Sequence, residues 1–117
     1  MATADGLSIF KSVDLDETEE AVKTTKGKVY GWAIYNAHAT LTRYVKLYNA
    51  TVANVVVGTT VPVLTLPVAA LSWETTAPGE VGLQFDTAIT AAATTGVADA
   101  DTGAPAANDV ICHIFYQ

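Results

Sequence analysis

Residues 28–49 constrain the fold more than any other part of the chain. Their first half, residues 29–35, is rich in aromatic and β-branched side chains, which fit a pleated, half-buried sheet surface. Their second half, residues 41–49, alternates apolar and polar side chains with the two-residue period of a strand. A short polar connection, residues 36–40, joins the two halves. The stretch therefore predicts a central β-hairpin made of two long strands.

The alternation in residues 41–49 divides the side chains of the second strand between two faces. Leu41, Val45 and Leu47 fall on the face that we expect to join the core. Tyr44, Lys46 and Tyr48 fall on the opposite face. Aromatic residues combined with a cation are typical of protein interfaces, so these three side chains are a candidate contact face. The alternative is that they only cover the outer side of a strand.

Other strand-like runs, separated by turns rich in Gly, Pro, Asn and Asp, cover much of the remaining chain. At least six such runs predict an all-β fold, an antiparallel β-sandwich. We expect one domain over residues 1–117, with an N-terminal arm or edge strand in residues 1–27 and the core sandwich in residues 28–117. The runs are residues 7–13, 21–26, 54–57, 61–67, 81–86, 88–93 and 110–116.

Charge and cysteine content narrow the class of protein. The net charge is −6, and the six basic residues are scattered, which argues against a nucleic-acid partner. No signal-peptide pattern opens the sequence and no apolar stretch is long enough to span a membrane, so we expect no membrane partner. A single cysteine excludes an internal disulfide, which favours folding in a reducing cytoplasm.

An acidic run near the N-terminus has two interpretations. It is either a site for a cation or a basic partner, or a solvated turn that keeps an edge strand soluble, and the second is the more common arrangement. The run consists of Asp14, Asp16, Glu17, Glu19 and Glu20.

Residues 94–108 form a long loop of small side chains, a length that usually indicates function or disorder. Asp99 and Asp101 precede Gly103 with the spacing of a calcium loop, but the remaining oxygen ligands are missing. Turn-forming aspartates are the more common explanation, and we expect no metal and no cofactor. The loop, with Asp99 and Asp101, is instead a second candidate contact surface.

The pattern of reactive side chains does not indicate an enzyme. Cys112 and His113 are adjacent on a strand, so their side chains point to opposite faces and cannot form a nucleophile–base pair. None of the three serines lies in a nucleophile elbow, and no phosphate-binding loop is present. His38 lies in a loop without a second histidine nearby, as an ordinary loop histidine does.

Three sequence strings carry a resemblance to a known group of proteins. They are RYVKLYNA at residues 43–50, VGTTVPVLTLP at residues 57–67 and TTGVADADTGAPAAND at residues 94–109, before a hydrophobic end. Over residues 28–117 the chain resembles small proteins encoded among the structural genes of tailed bacteriophages. The resemblance implies a β-sandwich or jelly-roll module that decorates or cements the capsid, or belongs to the tail.

The resemblance also implies a function and partners. The expected role is that of a non-enzymatic capsid decoration or cement protein of the virion, bound to the major capsid protein or to other virion proteins. Sites that bridge capsid subunits are often threefold points, so a homo-oligomer, with a trimer favoured, is expected. The alternatives are a tail or fibre component, and a carbohydrate-binding module with Trp32, Tyr35 or Trp73 on an exposed platform.

Overall fold

A computed structural model describes residues 6–117, which form nine β-strands and a single 3-10 turn. Alternating and β-branched segments account for most of these strands, as expected for half-buried sheet surfaces. The strands are β1 (Ser8–Ser12), β2 (Glu20–Lys23), β3 (Gly27–Asn36), β4 (Arg43–Tyr48), β5 (Leu64–Val68), β6 (Ser72–Thr76), β7 (Leu83–Phe85), β8 (Ile89–Thr94) and β9 (Val110–Tyr116).

Two antiparallel sheets pack face to face, which confirms the predicted all-β sandwich. The first sheet has the order β1-β9-β3-β6. β6 pairs with residues 32–36 of β3, and β7 pairs with residues 27–29 along the same edge of β3. The second sheet has the order β2-β8-β4-β5. β1 lies at an edge, as predicted for residues 7–13. Pro67 lies in β5, an edge strand of the second sheet, where a residue without an amide donor is tolerated.

The core lies between the inner faces of the two sheets. β9 contributes Val110, Cys112 and Ile114, and its position between β1 and β3 confirms that this strand lies inside a sheet. All six residues of β8 are buried, because both faces of that strand are covered. The largest side chains of the core include Leu15, Val29, Ile34, Leu47, Phe85 and Ile89.

The predicted central hairpin is wrong. β3 lies in the first sheet and β4 in the second, so residues 37–42 cross from one sheet to the other. The buried side-chain amide of Asn36 anchors this crossing by donating hydrogen bonds to the carbonyls of Leu41, at 2.8 Å, and Val68, at 2.9 Å. Leu41, predicted to be in the core, is 55% exposed because it belongs to the crossing and not to β4.

Residues 54–57, predicted to be a strand, do not form one. Val52–Asn54 is a 3-10 turn, and residues 55–63 contain no strand. This segment lies against the outer face of the second sheet, where Val55 packs with Tyr48 and Ala92 in a small apolar cluster. The apolar side chains of the segment therefore serve as a cover for the sheet, a role that local periodicity does not distinguish from a strand.

Removal of residues 111–117 is expected to abolish cooperative unfolding. The deletion takes away most of β9, so β1 loses its pairing partner and β3 loses its partner along one whole side. Thermal unfolding followed by circular dichroism measures this. A truncated chain that melts like the full chain would contradict the placement of β9.

Ile114→Ala is expected to lower the free energy of unfolding by about 2–5 kcal/mol, because it leaves a cavity in the core. The matched control is Ile9→Ala, which removes the same atoms from a side chain that is 64% exposed. The control should change the free energy of unfolding by no more than about 0.5 kcal/mol. Urea denaturation measures both values, and equal losses would show that the side chain of Ile114 does not support the core.

Candidate contact surfaces

The contact face predicted from Tyr44, Lys46 and Tyr48 is not an exposed surface. Lys46 and Tyr48 are fully buried and Tyr44 is half-buried. The alternation of β4 is as predicted, since Val45 and Leu47 are in the core, but the opposite face is covered as well. The proposal that Tyr44, Lys46 and Tyr48 form a contact face is therefore wrong for Lys46 and Tyr48.

The buried ammonium of Lys46 ties the loop at residues 95–109 to the second sheet. Its Nζ donates a hydrogen bond to the carbonyl of Ala98 at 2.5 Å. The loop also packs on the segment at residues 51–63, where Gly58 has a φ of 92° and leaves no room for a side chain beside Thr102. Burying a cation without an acceptor is energetically costly, so this hydrogen bond helps to hold the loop against the second sheet.

The phenol of Tyr48 is in an unusual environment. Its Oη is buried and has no hydrogen-bond partner among residues 6–117. Burial, together with the negative charges of Glu19 and Asp99, raises the pKa of Tyr48 above its ordinary value of 10.0. The ring packs with Val55 and Ala92, so Tyr48 acts mainly as an apolar anchor for the cover.

The aspartates of the long loop have separate structural roles. Asp101 accepts a hydrogen bond from the amide of Gly103 at 2.8 Å, which confirms a turn-forming aspartate. Asp109 forms a buried ion pair with Arg43, with Nε and Oδ2 3.1 Å apart, and also accepts the amide of Ala106. Asp99 is exposed. Within residues 6–117, no group of three or more side chains of the metal-binding types comes together.

Within residues 6–117, no segment covers the outer face of the first sheet around Ile9 and Trp73. Because Val110, Cys112 and Ile114 point into the core, the residues between them on β9 point away from it. Strand register places side chains of the three neighbouring strands on the same outer side. We call this surface the open face; it consists of Ile9 and Lys11 from β1, Ala33 and Tyr35 from β3, Trp73 and Thr75 from β6, and Ile111, His113 and Phe115 from β9.

Aromatic rings are clustered at one side of the open face. The ring centroids of Tyr35 and Trp73 lie 5.1 Å apart, and the ring of His113 stacks 6.2 Å from that of Trp73. Trp73 is 56% exposed and Ile9 is 64% exposed. Lys11 is the one residue of the open face that carries a full charge, so the surface is mainly apolar with a single cation.

The sequence of β9 carries a signal for the open face. β9 is apolar in both phases, because Ile111 and Phe115 alternate with the core residues Cys112 and Ile114. A strand that is apolar on both sides requires a cover on each face. The structure brings no other segment of residues 6–117 over Trp73 or Ile9, which explains their exposure.

The side chains of Cys112 and His113 point to opposite faces of the first sheet, as predicted. The thiol of Cys112 is buried, and burial, with a smaller effect from Glu20, raises its pKa to about 12. A thiol with this pKa has almost no thiolate at neutral pH and is a poor nucleophile. His113 Nδ1 lies 3.0 Å from the carbonyl of Ala33, within hydrogen-bonding distance. His38 Nδ1 accepts the amides of Thr40 and Leu41, which makes it part of a loop turn.

Comparison of the chain with protein-family models, with curated proteins and with solved structures finds no match. Within residues 6–117 there is no helix of the length and apolar character that would span a membrane.

Tyr48→Phe is expected to weaken the alkaline sensitivity of the fold. The folded protein holds the phenolic proton of Tyr48 more tightly than the unfolded chain, so stability falls as the pH rises above the unfolded value of 10.0. The variant lacks this contribution and should change stability by less than about 1 kcal/mol at neutral pH, because the hydroxyl has no partner. Urea denaturation at a series of pH values measures both effects. Identical pH profiles for the two proteins would contradict the buried position of the phenol.

Proposed function

We propose that the protein is a non-enzymatic structural component of a tailed-bacteriophage virion, a decoration or cement protein that binds the capsid through the open face. The observation that carries this proposal is the contrast between the two sheets. Chain segments cover the outer face of the second sheet, whereas Ile9 and Trp73 remain exposed on the first. Contiguous exposed apolar surface marks a site of interaction with another macromolecule.

The chemistry of the open face indicates what its partner must offer. Trp73 and Tyr35 are rigid aromatic anchors of the type that dominates binding energy at protein interfaces. Lys11 requires a carboxylate or a carbonyl on the partner, since burying an unpaired ammonium is costly. The proposed partner surface, on the major capsid protein or a neighbouring virion protein, is therefore apolar with an acceptor opposite Lys11.

The strand pairing supports the jelly-roll form of the sandwich, which we include in the proposal. β1 pairs with β9, β2 with β8, β3 with both β6 and β7, and β4 with β5. If β6 and β7 are counted as one interrupted strand, the chain is a single long antiparallel ribbon of eight strands, folded so that successive pairs alternate between the sheets. Eight strands in two sheets are the arrangement of a jelly roll.

A tail or fibre component would use the same open face on a different virion protein, so the identity of the partner distinguishes the two roles. A carbohydrate-binding module is the second candidate, and the specific observation that favours it is the Tyr35–Trp73 pair. The two rings converge on the open face, with their planes inclined by 45°. Sugar rings stack on such aromatic surfaces, so this candidate predicts binding of soluble oligosaccharides in the absence of any capsid protein.

Trp73→Ala combined with Ile9→Ser is expected to abolish binding to phage particles that lack the protein, because both changes remove exposed apolar side chains from the open face. The matched control is Val61→Ser combined with Val63→Ser, which changes valines that are 67% and 58% exposed on the cover of the second sheet. Co-sedimentation of the purified protein with the particles measures binding. The control should bind like the wild type.

Two further measurements separate the alternatives. Asp99→Ala tests the long loop, because it removes an exposed carboxylate. Loss of binding with this variant would indicate that residues 95–109 make the contact. Glycan-array binding that depends on Trp73 would favour the carbohydrate-binding module. Equal particle binding by the open-face variant and the wild type would overturn the assignment of the contact to the open face.

A further inference from the structure

Half of the basic residues of the chain surround one surface pocket. Of the six lysines and arginines, Lys23, Lys26 and Lys28 line a cavity of about 330 Å³ at the turn between β2 and β3. Gly27, Tyr30 and Gln84 complete its walls, together with Gln117. A cluster of three cations is unexpected in a chain with a net charge of −6. We call this cavity the lysine pocket.

Backbone geometry holds the lysine pocket open. A side-chain carbon on Gly27 would lie 2.6 Å from the carbonyl of Gln117 and 2.8 Å from Cδ of Lys23, so only glycine leaves this space free. The amide of Lys28 donates to the carbonyl of Gln117 at 2.9 Å, which fixes the wall against β3. The pocket is therefore formed before any partner binds.

Within residues 6–117, none of the three lysines of the pocket forms an ion pair. Glu80 and Asp86 flank β7, the strand that pairs with the beginning of β3 beside the pocket. Neither forms an ion pair with a pocket lysine, because the one ion pair within 4 Å among residues 6–117 is Arg43–Asp109. Lys26 and Lys28 are exposed. Three ammonium groups that have no ion-pair partner among the described residues, placed around an open cavity, favour the binding of a group with several negative charges.

The chain carries such a group in the acidic segment, residues 14–20, and holds it in a fixed conformation. Leu15 is fully buried, and its amide donates to the carbonyl of Val110 at 3.1 Å. The carbonyl of Asp16 accepts the amide of Ala93 at 2.7 Å. The side chains of Glu17 and Glu19 are half-buried and form no hydrogen bond or ion pair with residues 6–117. An ordered segment with free carboxylates loses little entropy on binding.

The fixed beginning of the acidic segment and the Lys28 wall of the lysine pocket lie at opposite ends of β9, whereas β2 joins the last residue of the segment, Glu20, to Lys23 of the pocket. The acidic segment contacts Val110, the first residue of β9, whereas Lys28 pairs with Gln117, which follows the last residue of that strand. Seven residues of extended strand separate these two points by roughly 23 Å. Glu19 precedes Lys23 by only four residues, yet within residues 6–117 no ion pair joins the acidic segment to its own lysine pocket.

We propose that the lysine pocket binds the acidic segment of a second copy of this chain, in a head-to-tail contact. Glu17 and Glu19 of one copy pair with Lys23, Lys26 and Lys28 of the next. Such a contact joins two different surfaces, so it repeats around a ring when the rotation closes and along a filament when it does not. The proposal goes beyond the proposed function, because it concerns self-association in the absence of any capsid.

Charge reversal on each side tests this contact. Lys26→Glu with Lys28→Glu reverses the pocket, and Glu17→Lys with Glu19→Lys reverses the segment. Light scattering and sedimentation velocity at low ionic strength measure self-association, which should weaken at least about tenfold in each variant. The first pair of changes increases the net negative charge and the second decreases it, so repulsion between whole molecules cannot explain two losses. Circular dichroism verifies that both variants fold.

Mixing the two variants supplies the decisive control. A reversed pocket now complements a reversed segment, and the two unchanged surfaces complement each other, so the mixture should associate like the wild type. High salt should dissociate the assemblies, because exposed charges are screened over about 3 Å at 1 M ionic strength. A wild-type protein that stays monomeric at low salt, or single variants that associate normally, would overturn the proposal. Particle binding by the open face is measured separately, so either proposal can fail alone.

Discussion

The buried ion pair between Arg43 and Asp109 is the interaction on which the two ends of the ribbon depend. Arg43 begins β4 in the second sheet, and Asp109 immediately precedes β9 in the first. The same aspartate accepts the amide of Ala106 through its side chain and the amide of Ala37, in the crossing between β3 and β4, through its carbonyl. One residue thus joins both sheets and the exit of the long loop. Removal of one partner would leave a buried charge unpaired, which is far more costly than losing an exposed ion pair.

The two outer faces of the sandwich are not equivalent, and this difference organises the functional interpretation. On the second sheet the chain supplies its own cover, fixed by the buried ammonium of Lys46 and the apolar ring of Tyr48. On the first sheet the aromatic pair of Tyr35 and Trp73 remains at the surface. This difference between the two faces is the basis of the proposal that the first sheet makes the contact with a larger assembly.

The sequence predicted the position of most strands, because a two-residue period reports directly which side chains share a face, but β6 was not among the predicted strands. It could not predict which strands pair. Residues 28–49 look like a hairpin locally, but the buried amide of Asn36 serves a crossing between sheets. The burial of Lys46 was also hidden, because its cover comes from Ala98 and neighbouring residues far along the chain. The open face was only partly visible, as an apolar excess in β9.

The nested pairing of the ribbon has a consequence for how the protein acquires its structure. β4 and β5 are close in sequence and can meet early, whereas β1 and β9 join residues that lie about a hundred positions apart. Closing so long a loop is entropically costly until the inner pairs have drawn the ends together. Folding is therefore expected to proceed outward from the middle of the chain, with β1 docking last. During synthesis on the ribosome, β1 must wait for β9 to emerge, so the apolar edge of the first sheet is exposed until translation of that strand is complete.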